Sequence, residues 1–383
     1  MKNHINEQIQ KYLNTMIGEM TFSEAQEGAK QEILSHIEEH VATGMSYGLS
    51  NEEAIHDALK RMGSPNEIGQ SLNQIHRPRF DFILPLLALA LTMVGLWNLY
   101  GGGFMGLQTA WITLGLVLMT SLYFLPMRKF RNIVASLYGV AIVGLIAAYF
   151  SGVTADGQPY LSLAGLNIKI VDMAGSLFAL GFAALGLRIK GSRWATLSLI
   201  ALFLVPLAYF SFNGFIWSGM LFLVSGLCFL GMQNISTASL IGTGIVGAGM
   251  LILRVSASLV SVEAVGKAIV ENAHTDYAMR SLGTAFAMEI LAGSLLVASI
   301  LYGVRLALGI KDAGLRSLAV VGMCLLAVQI FTSVLANVGL LPMIAAGVNV
   351  PFVSYGGSGI IANFLILGIV VACYKRKSLV FSE

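Results

Sequence analysis

Between Ser256 and Gly283 a run of ionisable side chains interrupts an otherwise apolar half of the chain: Glu263, Lys267, Glu271, His274, Asp276 and Arg280. The flanking apolar runs add Arg254 and Glu289. A carboxylate and an imidazole two residues apart in a loop are residue types that can take up or pass on a proton, and loops are where function usually concentrates. The plainer reading of Asp276 is a solvated carboxylate that caps a helix. Glu289 sits where an ionisable group is costly, so it either lines a cavity or pairs with Arg254 or Arg305 to hold spans together. Arg254 ends its apolar run and can reach the surface along its own stem.

Three other patterns match chemical motifs by spacing alone. His36-Ile37-Glu38-Glu39-His40 places two imidazoles on one helix face, as a zinc site would, but on a polar face with no third ligand in view. Gly242-Thr243-Gly244-Ile245-Val246-Gly247 fits a dinucleotide fingerprint without its strand, and lies in an apolar run where small residues serve close helix packing. Gly101-Gly102-Gly103 reads as a flexible loop. No metal site and no nucleic-acid partner is expected.

The elements that must carry these residues follow from composition. The chain has 383 residues, 56% hydrophobic and 11% charged, where a soluble domain carries about a quarter charged. Apolar segments long enough to cross a bilayer are predicted near 82–100, 107–126, 132–150, 171–188, 194–211, 214–232, 238–255, 284–306, 316–338 and 357–374. Arg77, Arg79, Arg128, Lys129, Arg131, Arg188, Lys190, Arg193, Lys311, Arg316, Lys375, Arg376 and Lys377 all fall on one side of that arrangement. The fold class expected is all-α, a polytopic membrane protein of about ten transmembrane helices with both termini cytoplasmic. Cys228, Cys324 and Cys373 lie in apolar runs and imply no disulfide framework. No early hydrophobic region suggests a signal peptide.

Residues 1–78 are expected to form a small soluble helical domain of three or four helices, with 79–383 as the membrane domain. Ser50-Asn51-Glu52-Glu53 is a capping-box pattern opening a helix with Ala54, Ile55, Ala58, Leu59 and Met62 on one face, and Gly63 ends it. Ser64-Pro65-Asn66-Glu67 opens another, and Ile33, Leu34, Ile37 and Val41 mark an earlier one. The run Glu32–Leu72 resembles the cytoplasmic prefix domain found ahead of some bacterial permeases and regulators, an interaction or regulatory module.

Near the C-terminus, Gly339-Leu340-Leu341-Pro342 and Gly347-Val348-Asn349-Val350-Pro351-Phe352-Val353-Ser354-Tyr355-Gly356-Gly357-Ser358 cannot continue a helix, yet lie between two apolar runs. Irregular backbone there must be interfacial, buried in protein or lining a cavity. Ser354, Tyr355 and Ser358 can bond a head-group or the loop's own backbone. This pattern, with Gln329 and Phe331 before it and Lys/Arg after the last span, resembles the C-terminal signature of the SEDS family, the RodA, FtsW and SpoVE group. His274-Thr275-Asp276-Tyr277 is similar to that family's His-Thr-Asp-Phe motif.

The resemblance implies a peptidoglycan glycosyltransferase of the bacterial plasma membrane that polymerises a lipid-linked (lipid II-type) precursor during growth, division or sporulation. It implies Asp276 as catalytic base, a substrate site including His274, Thr275, Arg254, Lys267, Arg280, Glu289, Ser354, Tyr355 and Ser358, and a class B penicillin-binding transpeptidase as partner. A divalent cation would shield the pyrophosphate, though no ligand cluster marks one. The sequence also departs from the family. Asn349 replaces a proline, and two residues near Ala345-Ala346 look inserted. Lys169-Ile170-Val171-Asp172 stands where the family has Gln-Pro-Ser-Glu, with Asp172 in the Glu position and the family's lysine missing. Two other readings follow: a non-catalytic scaffold or regulator of wall synthesis, and a lipid or solute transporter, the latter expecting internal repeats that the sequence does not display.

Overall fold

The computed structural model describes residues 2–99, 105–151, 153–155, 158–163, 166–189, 193–233, 235–257, 286–337 and 349–379. The chain divides into two compact units, Met1–Arg79 with Arg376–Glu383, and Phe80–Lys375. The tail from Arg376, read above as the end of the membrane domain, therefore packs with the first unit.

That first unit holds four helices, α1 (Lys2–Gly18), α2 (Ser23–Ser46), α3 (Asn51–Met62) and α4 (Pro65–His76). The capping box forms as the sequence predicts: Ser50 accepts from the Glu53 N–H, and the Glu53 carboxylate accepts from the Ser50 N–H. Gly63 closes α3 with φ +88°, and its carbonyl accepts from the Tyr12 hydroxyl at 3.0 Å. Ser64 occupies the N-cap position of α4 without a side-chain bond, the proline at the next position being the stronger start signal. Tyr12, Leu13 and Met16 of α1 meet Ile37 of α2 in the core, with Leu59, Met62, Ile68 and Leu72 around them.

The second unit is built from ten helices among the described residues, matching the ten expected spans: α5 (Ile83–Asn98), α6 (Met105–Phe124), α7 (Met127–Phe150), α8 (Ile170–Gly186), α9 (Arg193–Asn213), α10 (Ile216–Gly231), α11 (Thr237–Ala257), α12 (Phe286–Leu308), α13 (Ala313–Asn337) and α14 (Gly357–Lys375). Six are long and apolar enough to cross a membrane, and α5, α8, α10 and the stretch Thr237–Leu253 of α11 are shorter apolar helices. The protein is a multi-pass membrane protein. α8 and α10 are largely buried among the others, and a helix wrapped in protein need not match the hydrocarbon thickness. α6 lies along α14, α7 along α8, α8 along α10, and α13 packs on both α10 and α14.

Close approach here depends on small residues. A Cβ on Gly181 of α8 would collide with the Tyr138 backbone of α7, and one on Gly175 with the Ser218 carbonyl of α10. The fingerprint-like glycines of α11 divide: a Cβ at Gly247 would sit 2.8 Å from Leu223, whereas at Gly242 it would meet nothing within 4 Å. Pro206, inside α9, cannot bond the Leu202 carbonyl, and the Tyr138 hydroxyl of α7 supplies the missing donor at 2.8 Å.

The α7–α8 connection contains an antiparallel meander, β1 (Val153–Ala155), β2 (Gln158–Leu163) and β3 (Leu166–Ile168), with Val153 opposite Tyr160 and Leu161 opposite Ile168. These short strands are an addition to the all-α expectation and leave the class unchanged.

Candidate functional site

Two polar features lie within the membrane unit.

The first is the loop 349–356. Ser354 is buried, its hydroxyl accepting from the Val350 N–H at 2.8 Å while its own N–H donates to the Val350 carbonyl at 3.1 Å. The loop thus closes on itself as a compact turn. Phe352 takes φ +65°, a conformation that a bulky residue adopts only when its surroundings impose it. They do: its buried ring stacks edge-on against Phe364 of α14, with centroids 5.2 Å apart. Gln108, buried in α6, donates to the Ser354 carbonyl and accepts from the Gly356 N–H, both at 3.2 Å. Ser333 of α13 donates to the Asn349 carbonyl at 2.9 Å. On the remaining side Gly95 of α5 lets the Val353 backbone come close, since a Cβ there would strike its carbonyl.

The second is a small polar cavity of about 10 Å³, at the threshold of room for one water, lined by Asp172, Ser176, Trp217, Gln329, Asn349 and Asn363 among others. Asp172 lies in the first turn of α8, where a carboxylate is favoured by the helix dipole. Its Oδ2 is 3.4 Å from the Nζ of Lys169, the residue just before that helix. Ser176 and Asn363 are 2% and 3% exposed. Ser176 Oγ and Asn363 Oδ1 have no hydrogen-bond partner among the described residues. A buried polar atom left unmet costs about 1–3 kcal/mol, so a water there would find partners in both.

Of the sequence-predicted site residues, His274, Thr275, Asp276, Lys267 and Arg280 lie outside the described residues. Arg254 and Glu289 fall on the helical backbone of α11 and α12, with side chains outside the described residues. Ser354 is committed to the loop's own backbone, and Tyr355 and Ser358 flank it, half-buried. Within α2, His36, Glu39 and His40 are exposed. Among the described residues no three His, Cys, Asp or Glu come together as a metal site.

Sequence reasoning passed over Gln108, Ser176 and Asn363. Their signal was available: each is a polar residue inside an apolar span, which must find a partner or a cavity. Asn349, noted only as a departure from proline, lines the cavity.

Comparison with known proteins bears on these residues. The model of the FtsW/RodA/SpoVE family, described as cell cycle protein, matches residues 264–378. A probable peptidoglycan glycosyltransferase FtsW from Geobacter metallireducens is 34% identical over 106 residues, 27% of this chain and 28% of that protein. The chain thus spans little more than a quarter of that relative's length. The crystal structure of the Thermus thermophilus rod shape determining protein RodA matches with TM-score 0.60 at 20% identity, covering 78% of this chain and 97% of that one. A point mutant of the same protein gives 0.61. A chain from a study of polymerisation and crosslinking by a peptidoglycan synthase complex gives 0.59, also at 20% identity, covering 78% of this chain and 98% of its own. At such identity the structural likeness establishes the fold.

Proposed function

We propose, from the match of residues 264–378 to the FtsW/RodA/SpoVE family model and the RodA-like fold of the membrane unit, that the chain is a member of that family and polymerises lipid-linked peptidoglycan precursor. The observation that carries this reading is the extent of the family match, which takes in both the His274–Tyr277 segment and the loop 349–356. Asp276 accepts the proton of the acceptor sugar hydroxyl as that oxygen attacks the anomeric carbon of the donor. The bond from that carbon to the pyrophosphate oxygen breaks, and the lipid pyrophosphate leaves. Arg254, Lys267 and Arg280 supply positive charge to the departing group, and Glu289 helps to shape the site.

Asp172 stands where the family has Glu, and its ion pair with Lys169 supports a charged group held in place at the start of α8. Ser354, Tyr355 and Ser358 serve as a rigid border of the site. The meander faces away from the cytoplasm in the bacterial plasma membrane. The packing of the tail with the N-terminal helices in one unit supports an even number of crossings, with both termini on one side. A class B penicillin-binding transpeptidase is the partner this reading calls for, and the match to a chain from a peptidoglycan synthase complex is in keeping with it.

The departure at Lys169–Asp172, where the family's Gln-Pro-Ser-Glu and lysine are lacking, gives a second reading its support: a family member that organises wall synthesis without turnover. Polymerisation of lipid-linked precursor by the purified protein, with and without a transpeptidase partner, separates the two. Wild type should make glycan, and Asp276→Asn should lose about 10²–10⁴-fold in rate. Equal product from both would remove Asp276 as the base. No product from either, under conditions where a related polymerase is active, would establish the non-catalytic reading.

A further inference from the structure

The first unit is completed by a segment that arrives from the far end of the chain. Arg376 follows directly on α14 and is 0% exposed. Its Nε lies 2.5 Å from Glu24 Oε2 and its Nη2 2.7 Å from Glu24 Oε1, a two-pronged arrangement that fixes direction as well as charge. The Leu379 N–H donates to the Arg376 carbonyl at 3.0 Å, so one tight turn separates the two residues. Leu379 then enters an apolar cluster with Met20, Phe22, Ala25 and Ala29, with Leu72 packed against it.

This combination selects for a particular occupant. A guanidinium removed from water is tolerable only where a carboxylate meets it in good geometry, and a lysine ammonium cannot reproduce the two-pronged contact. The apolar cluster accepts only an apolar side chain one turn later. A surface contact between two solvated segments would impose neither condition.

We propose that the N-terminal helical unit is a recognition site for a segment of pattern Arg-x-x-Leu, and that its resident occupant is the chain's own tail. Glu24 reads the arginine, and the cluster around Phe22 reads the leucine. The prefix-like unit is thereby a latch closed on the residues that follow the last membrane helix. This rests on the first unit alone and is independent of any polymerase activity.

Hydrogen exchange on the full-length protein in detergent tests it. Arg376→Glu and Leu379→Asp should each raise amide exchange over residues 20–29 by about tenfold or more. The charge swap Glu24→Arg with Arg376→Glu should restore wild-type protection. Added to the Arg376→Glu protein, a synthetic peptide of residues 374–383 should restore protection, and the same peptide carrying the Arg376→Glu change should not. Unchanged exchange in the single variants overturns the proposal, as does a swap that fails to restore it or a peptide that acts no differently from its control. If Arg376→Glu alone does not accumulate, recovery of folded protein in the swap supports the latch and its failure overturns it.

Discussion

The two units use hydrophobic side chains in opposite ways. In α3 the apolar residues Ala54, Ile55 and Ala58 are buried while Glu52, Glu53 and His56 are exposed, as expected where water drives apolar groups inward. In the membrane unit Leu86, Met93, Val143, Ile146, Val205 and Phe212 are all exposed, and Gly175, Ser176, Gly181, Gln108 and Asn363 are buried. Lipid tails are as apolar as leucine, so hydropathy there does not separate inside from outside. Local fit does: Gly175 and Gly181 are buried because a neighbouring backbone lies against them, whereas Gly106, Gly139 and Gly242 are exposed with nothing near.

That contrast is tested first where it predicts the most damage. Gly181→Leu forces a branched side chain into the Tyr138 backbone and should cost beyond ~3 kcal/mol, read as loss of the monodisperse peak in size-exclusion chromatography. Val143→Ala, at a position 66% exposed, should leave that peak and the melting temperature nearly unchanged. An equal effect from the two would sink the distinction. In the first unit the rule reverses toward hydropathy: Leu13→Ala empties a fully buried site and should cost about 2–5 kcal/mol by denaturant unfolding.

Gln108→Leu preserves hydropathy while stripping the Ser354 carbonyl and the Gly356 N–H of their partner. It should cost about 1–3 kcal/mol and raise proteolysis or amide exchange at 349–357. Protection equal to wild type would show that the loop holds itself. The smallest effect belongs to Ser50→Ala, about 1 kcal/mol from loss of the cap. The Ser50 hydroxyl and N–H hold the Glu53 carboxyl below its ordinary range. The stability this lends is therefore present above the unfolded-state value and lost as pH falls through the lowered folded one, and Ser50→Ala should flatten that acid-side slope.

The same contrast explains what the sequence disclosed. The ten spans were legible because bilayer thickness sets a length and composition that few soluble helices share. The capping box at Ser50 was legible because its partners are three residues apart, and the loop 349–356 because proline and glycine forbid a helix. The contribution of Tyr12, Leu13 and Met16 to the core was not, since nothing in α1 alone announces what it packs against. Nor was the polar cavity, whose lining comes from four helices and a loop far apart along the chain. Arg376 read as one more cation flanking a span, because a basic residue there is the ordinary membrane signal. Only the fold shows it buried against Glu24.

Gln108 and Gly95 lie some 250 residues ahead of the loop they hold, and both fall outside the stretch 264–378 that carries the family's sequence. A chimera that exchanges only that stretch with a relative would inherit the motif without its mounting. Grafts between such proteins should keep positions 95 and 108 in register with whichever loop they are asked to seat.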